Sequence, residues 1–279
     1  MPHPPSIAAP LALALSVLAG CGSSGGGSGE TAQLTQPSPT AVTRTDIAEL
    51  LGTGNVAPVG LTLTPDTDEL VLLDASQGVF VMQADRRFRR LATARELEDR
   101  AQPASTFTDI AGLGSNRFAI TARSDGFLYD SDAGTIEQHF CYVPGLLGPG
   151  FDQLTLGVAF DPATGRILVQ PVTVQGWQQT FVSEVGTFPI SGGVGEDWHP
   201  IQEQDYLAGG ITCDSAGLLW MGRGAELHTY DLQNDTMTFQ QSLTRFGITD
   251  ITGMVFDGDD LMVIDGPTAQ LVCIPAALL

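Results

Sequence analysis

The side chains best suited to chemistry lie in two insertions of the chain's longest repeat unit. Segments 171–179 (PVTVQGWQQ) and 192–200 (GGVGEDWHP) carry Trp177, Trp198 and His199. Two aromatic walls and one titratable ring make an expected ligand or partner loop, since loops over a rigid scaffold carry function. The bland alternative is that these aromatics fill gaps between loops. A second feature is segment 84–100 (ADRRFRRLATARELEDR), which holds six of the twelve arginines, among them Arg86, Arg87, Arg89 and Arg90. In an acidic chain this local reversal suits phosphate, lipid headgroups or an acidic partner. It also suits a solvent-facing outer strand with alternating charges, followed by a polar helical turn at 94–100.

Other motifs point less far. Asp130-Ser131-Asp132-Ala133-Gly134 opens like a calcium loop, but Gly134 falls where a third oxygen ligand belongs and Cys141 where the closing Glu should be. It reads as a turn, as does Asp257-Gly258-Asp259-Asp260. His139 and His228 sit in or beside strands and read as hydrogen-bonded structural histidines. No GxSxG, HExxH or P-loop occurs, and no Cys/His spacing suits zinc. The motifs therefore assign no catalytic residue, no metal site and no cofactor.

The elements that must position these residues repeat. Segment 209–232 (GGITCDSAGLLWMGRGAELHTYDL) reads as a glycine, an apolar strand, a polar turn, a second apolar strand, another turn and a third strand. Segments 59–81, 110–129, 156–169 and 252–273 follow the same grammar. Anchored on Gly60, Ala111, Gly157, Gly210 and Gly253, the copies are spaced by about 43 to 53 residues, a period that marks β-propeller blades. Runs such as Val71-Leu72-Leu73 and Leu261-Met262-Val263-Ile264 are short, β-branched and apolar at every position, as strands buried on both faces must be. The expected fold is all-β: one propeller of about five blades of four antiparallel strands, with six blades as the alternative. Outer strands are expected at 88–92, 135–142 and 236–243. The last copy ends after three strands, so part of segment 41–51 is expected to supply its fourth and close the ring without a bare edge. A short helix there is the alternative.

The 279 residues suffice for one large core. The formal charge is -20, every cation other than histidine is Arg, and such a balance disfavours nucleic acid and anionic membrane surfaces as partners. An oxidising compartment permits one disulfide among Cys141, Cys213 and Cys273, with three possible pairings, but they fall on different blades and are expected to be buried free thiols. At the other end of the chain, residues 7–19 form an apolar run of secretory h-region length, too short to span a bilayer. Segment 22–40 (GSSGGGSGETAQLTQPSPT) has almost nothing to bury and reads as a flexible tether. The divisions are thus 1–20 signal peptide, 21–40 tether and 41–279 propeller.

Two resemblances add to this reading. Leu18-Ala19-Gly20-Cys21 resembles a bacterial lipobox. That resemblance implies acylation of Cys21, a lipoprotein held in the cell envelope, and, since Gly22 is not an inner-membrane retention Asp, the outer membrane. The blades AGGITCDSAGLLWMG and GLTLTPDTDELVLLD resemble the bacterial propeller superfamily that includes NHL and YVTN repeats and the regucalcin/gluconolactonase group. In that group a metal-binding Asp precedes the blade glycine; here Gly209, Val59, Leu156 and Thr252 stand there, three of them apolar or without a side chain. Two functions stay open. One is a lipid-anchored, non-catalytic module that binds a protein or glycan. The other is a metal-dependent hydrolase of the lactonase type with displaced ligands such as Asp74, Asp125 or Asp265, which must meet at one end of the channel.

Overall fold

A computed structural model of the protein describes residues 41–84, 87–101, 106–114, 116–123, 125–140, 151–175, 180–203 and 206–279. They form a five-bladed propeller with four antiparallel strands in each blade. Blade 1 is β2 (Pro58–Leu63), β3 (Leu70–Asp74), β4 (Gly78–Met82) and β5 (Phe88–Thr93). Blade 2 is β6 (Phe107–Gly114), β7 (Arg117–Ala122), β8 (Asp125–Asp130) and β9 (Thr135–His139). Blade 3 is β10 (Phe151–Asp161), β11 (Arg166–Gln175), β12 (Thr180–Pro189) and β13 (Asp197–Pro200). Blade 4 is β14 (Gly210–Cys213), β15 (Leu219–Arg223), β16 (Glu226–Asp231) and β17 (Thr236–Ser242). Blade 5 is β18 (Ile251–Asp257), β19 (Asp260–Asp265) and β20 (Gln270–Ile274), and its outer strand is β1 (Thr43–Asp46) from the start of the domain.

Both readings of segment 41–51 hold in part. β1 pairs with β20 from Thr43 opposite Cys273 to Asp46 opposite Gln270, which closes the ring. The chain then turns into the helix α1 (Ile47–Leu51), because the Asp46 carboxylate accepts the N–H groups of Ala48 and Glu49, an N-cap. A second helix, α2 (Ala94–Ala101), follows blade 1. It starts with a capping box in which Thr93 N–H donates to Glu96 Oε2 and Glu96 N–H to Thr93 Oγ1. The polar helical turn expected at 94–100 is thus present as this helix, and its Leu97 is fully buried between blades 1 and 2.

The packing explains why the second strands are apolar at every position. In β3, Val71 and Leu73 face blade 2, where they meet Ile110, Phe118 and Ile120. Leu70 and Leu72 face the other way, into a cluster with Met262 and Ile264 of blade 5. Alternation along a strand thus serves two interfaces rather than core and solvent. Five such clusters fill the five seams of the ring. The outer strands obey the opposite rule: β9 and β17 are mostly exposed. The thiol expectation is corrected at one position. Cys213 is a free cysteine, but Cys273 is disulfide-bonded, with a partner outside the described residues.

Candidate functional site

The inner strands of all five blades run side by side around the axis, and their register defines a belt where the ring is tightest. Gly60 pairs with Leu73, Asp109 with Thr121, Gly157 with Gln170, Gly210 with Gly222 and Gly253 with Ile264. Each of Gly60, Asp109, Gly157 and Gly253 follows a β-bulge. The blade 2 counterpart of the glycines is therefore Asp109, not the Ala111 on which the repeat was anchored. A Cβ on Gly253 would lie 2.9 Å from Gly60 Cα, and one on Gly210 2.9 Å from Gly253 Cα. Backbone meets backbone there, so only glycine fits.

Into this belt the Asp109 side chain projects, almost wholly buried. Its Oδ1 accepts Ile110 N–H at 2.9 Å and its Oδ2 accepts Val158 N–H of blade 3 at 3.1 Å. A Cβ at Gly60 would come within 2.8 Å of Oδ1, so the missing side chains of the glycine belt make the room this one carboxyl uses. Burial raises its pKa well above 3.8, and the N–H groups of Val158, Ile110 and Ile211, which favour the charged form, do not cancel that.

On the C-terminal side of the belt the inner strands line an axial pocket of about 340 Å³. Every blade contributes apolar wall: Leu61, Ile110, Val158, Ile211 and Val255. Farther out stand Phe160 and Phe256, with Asp68, Asp214 and Asp257 from the turns between first and second strands. Asp214 is bound within its own turn, accepting Ala216 N–H, Leu218 N–H and the Trp220 indole N–H. Burial first, then the like charges of Asp260 and Asp68, raise the Asp257 pKa. Cys213 also lines the pocket, but burial and the charges of Asp161 and Asp214 push its thiol pKa up, so it is no thiolate nucleophile.

The aspartates considered as displaced metal ligands are engaged elsewhere. Asp74 accepts Ala57 N–H, Ser76 N–H, Gln77 N–H and the Ser76 hydroxyl, all at 2.7 to 2.9 Å. Asp265 does the same in blade 5, accepting Thr249 and Asp250 N–H and the hydroxyls of Thr249 and Thr268. Its burial favours the neutral acid, but these donors outweigh it and lower the pKa. Each staples the entry of the inner strand to the end of the second. Asp125 accepts Gly126 N–H and pairs with His139 Nδ1 at 2.6 Å. At the bulge positions Thr108 and Thr252 donate their hydroxyls to the carbonyls of Thr155 and Pro58 in neighbouring blades. Among the described residues no three His, Cys, Asp or Glu side chains group as metal ligands.

Of the residues singled out in the sequence, Trp198 and His199 lie on β13, the outer strand of blade 3, not on a loop over the ring. Trp198 packs edge-on to Phe188 at 5.8 Å and covers Gly186 and Gly195, while His199 Nδ1 meets Asp235 Oδ1 at 2.9 Å. Trp177, Cys21 and Arg86 lie outside the described residues. Arg87, Arg89 and Arg90 stand exposed at and beside β5, the outer strand of blade 1, with Arg90 stacked over the Phe80 ring and bonded to Gln77. His139 is hydrogen-bonded as expected. His228 departs from that expectation: its ring packs T-shaped against that of Tyr206, and its Nε2, 3.5 Å from Glu226 Oε2, makes no hydrogen bond among the described residues, like the buried Tyr206 hydroxyl. The axial pocket itself was missed, because its walls are the same apolar residues that build the blades.

The chain is similar in structure to a gluconolactonase from Xanthomonas campestris, at 14% identity over 84% of this chain and 89% of that one, with a TM-score of 0.47. It is also similar to the calcium-binding protein regucalcin from Agrobacterium tumefaciens, at 14% identity over 81% and 92% of the two chains, with a TM-score of 0.45. No protein-family model and no curated protein matches.

Proposed function

We propose that the protein is a lipid-anchored, extracytoplasmic β-propeller that acts as a non-catalytic binding or scaffold module, with the axial pocket as its ligand site. One observation carries this reading: all five blades jointly wall a 340 Å³ pocket, while the carboxylates that a metal-dependent hydrolase would use are bound within single blades. A pocket of that size lies in the range of small-molecule sites. The anchor is the Cys21 lipid, with segment 22–40 as tether and the outer membrane as location. A protein or glycan partner is expected at the Arg87, Arg89 and Arg90 edge, with Arg86 and Trp177 as further candidates.

The full chain in detergent tests the choice between binding module and hydrolase by its melting temperature in EDTA and then in excess Ca²⁺, Mg²⁺ or Zn²⁺. A metal at about 100 times its dissociation constant adds roughly 2.7 kcal/mol, a rise of about 5 to 10 °C for a domain of this size. The expected result is no shift with any of the three; a rise in that range returns the hydrolase. For the anchor, Cys21→Ser is expected to abolish incorporation of labelled palmitate and to move the protein from the detergent phase to the aqueous phase. A variant still labelled and still in detergent would refute anchoring at Cys21.

A further inference from the structure

We propose that the axial pocket takes an organic cation, a ligand that carries an ammonium or guanidinium group on an apolar body. This rests on the pocket being a binding site, as proposed above, and adds what enters it.

The pocket has two zones. Inside, Leu61, Ile110, Val158, Ile211 and Val255 give one apolar side chain from each blade, with Thr62 and Thr212 among them. Burying an apolar body there gains about 25 cal/mol for each Å² removed from water. At the mouth stand Asp68 and Asp257, from the adjoining blades 1 and 5. Their carboxylates accept no hydrogen bond from the described residues, whereas the nearby Asp214 and Asp161 are bound within their turns. Among the described residues no arginine or histidine lines the pocket, and the chain has no lysine at all. Asp68 is exposed and Asp257 half-buried, and neither has a counterion among the described residues that line the pocket; burial first, then the like charges of Asp260 and Asp68, raise the Asp257 pKa. A cation seated between them removes that repulsion, and the chain's net charge of -20 draws cations toward the opening.

Size and wall chemistry decide what kind of cation fits. A bare divalent ion wants six to eight oxygen ligands, and among the described residues no three His, Cys, Asp or Glu side chains group to hold one. A space of 340 Å³ is about ten times the share of one water in the liquid, so an ion would leave it largely empty. An amine on an aromatic or aliphatic body fills both zones at once.

The test is isothermal titration of the full chain in detergent with 2-phenylethylamine, with neutral 2-phenylethanol and with Ca²⁺, on the native protein and on Asp68→Asn/Asp257→Asn. Asn is near-isosteric and tolerates the positive φ of 52° at position 68, so folding is retained, and a melting curve checks it. Phenylethylamine is expected to bind the native protein about tenfold more tightly than phenylethanol, and to lose about that factor in the double variant while phenylethanol binding stays unchanged. Equal affinity for amine and alcohol, indifferent to the substitutions, overturns the cation and leaves the pocket a binding site. Failure of both probes to bind overturns the binding site as well. Ca²⁺ that displaces the amine and is lost in the double variant makes the mouth a metal site and overturns the proposal.

Discussion

Gly253→Val is expected to destabilise the propeller by at least about 3 kcal/mol, the upper end of overpacking costs, and so to lower its melting temperature by roughly 6 to 12 °C. The effect is steric, since Gly253 has no positive φ that a side chain would disturb. Its Cβ would meet Gly60 Cα at 2.9 Å and the Gly60 carbonyl carbon at 3.0 Å, which are main-chain atoms of the adjoining blade that no rotamer change can move aside. The seam in question is where blade 5 meets blade 1, so widening it works against the closure that β1 completes on the same blade. Gly253→Ala should show a smaller loss in the same direction, and Gly54→Ala, which has nothing within 4 Å of its Cβ, should stay within about 0.5 kcal/mol of the native protein. Chemical denaturation of the three variants measures this. A native-like midpoint for Gly253→Val would mean that the belt is not close-packed.

The fold was legible because a propeller repeats its constraints. Five blades each need apolar second strands and a small residue near the axis, so Val71-Leu72-Leu73 and Leu261-Met262-Val263-Ile264 announce the same environment wherever they occur. The missing fourth strand of the last copy also pointed to β1, since an unpaired edge would otherwise remain. Blade 3 was harder to read. Its outer strand β13 is only Asp197–Pro200, and with Trp198 and His199 in it the segment reads as a functional loop, although Trp198 covers Gly186 and Gly195. The belt was harder still. IAGLG and VGLTL align by their apolar residues, which sets Ala111 against Gly60, but both strands carry a bulge before the belt, and pairing across the blade sets Asp109 there. A carboxyl among glycines goes against composition rules, and only the convergence of backbone N–H groups from different blades explains it. That convergence belongs to the closed ring, not to any stretch of sequence.

Asp109 should accordingly govern a large share of the stability and give it an unusual pH dependence. Asp109→Ala removes the acceptor for Val158 N–H and Ile110 N–H at a fully buried position, and buried unsatisfied donors cost about 1 to 3 kcal/mol each. A total loss of roughly 2 to 6 kcal/mol is expected where the native carboxyl is neutral. The pH dependence follows from its raised pKa. Unfolded, the acid ionises near 3.8; folded, burial holds its proton to a higher pH. Between those two values the folded state binds more protons than the unfolded one, so raising the pH favours unfolding. This group's contribution is therefore fully present below pH 3.8 and is lost as the pH climbs through the folded value. Asp265, with its pKa lowered by four donors, contributes with the opposite sign and loses its stabilisation as the pH falls. The two can be separated by difference, because Asp109→Ala leaves Asp265 in place. Urea denaturation of native protein and variant from pH 4 to pH 8 should show the deficit of Asp109→Ala largest at the acid end and narrowing toward pH 8. A deficit that widens with pH would mean that the three N–H groups hold a carboxylate at the axis, and that the ring has built an anion site where burial calls for a neutral acid.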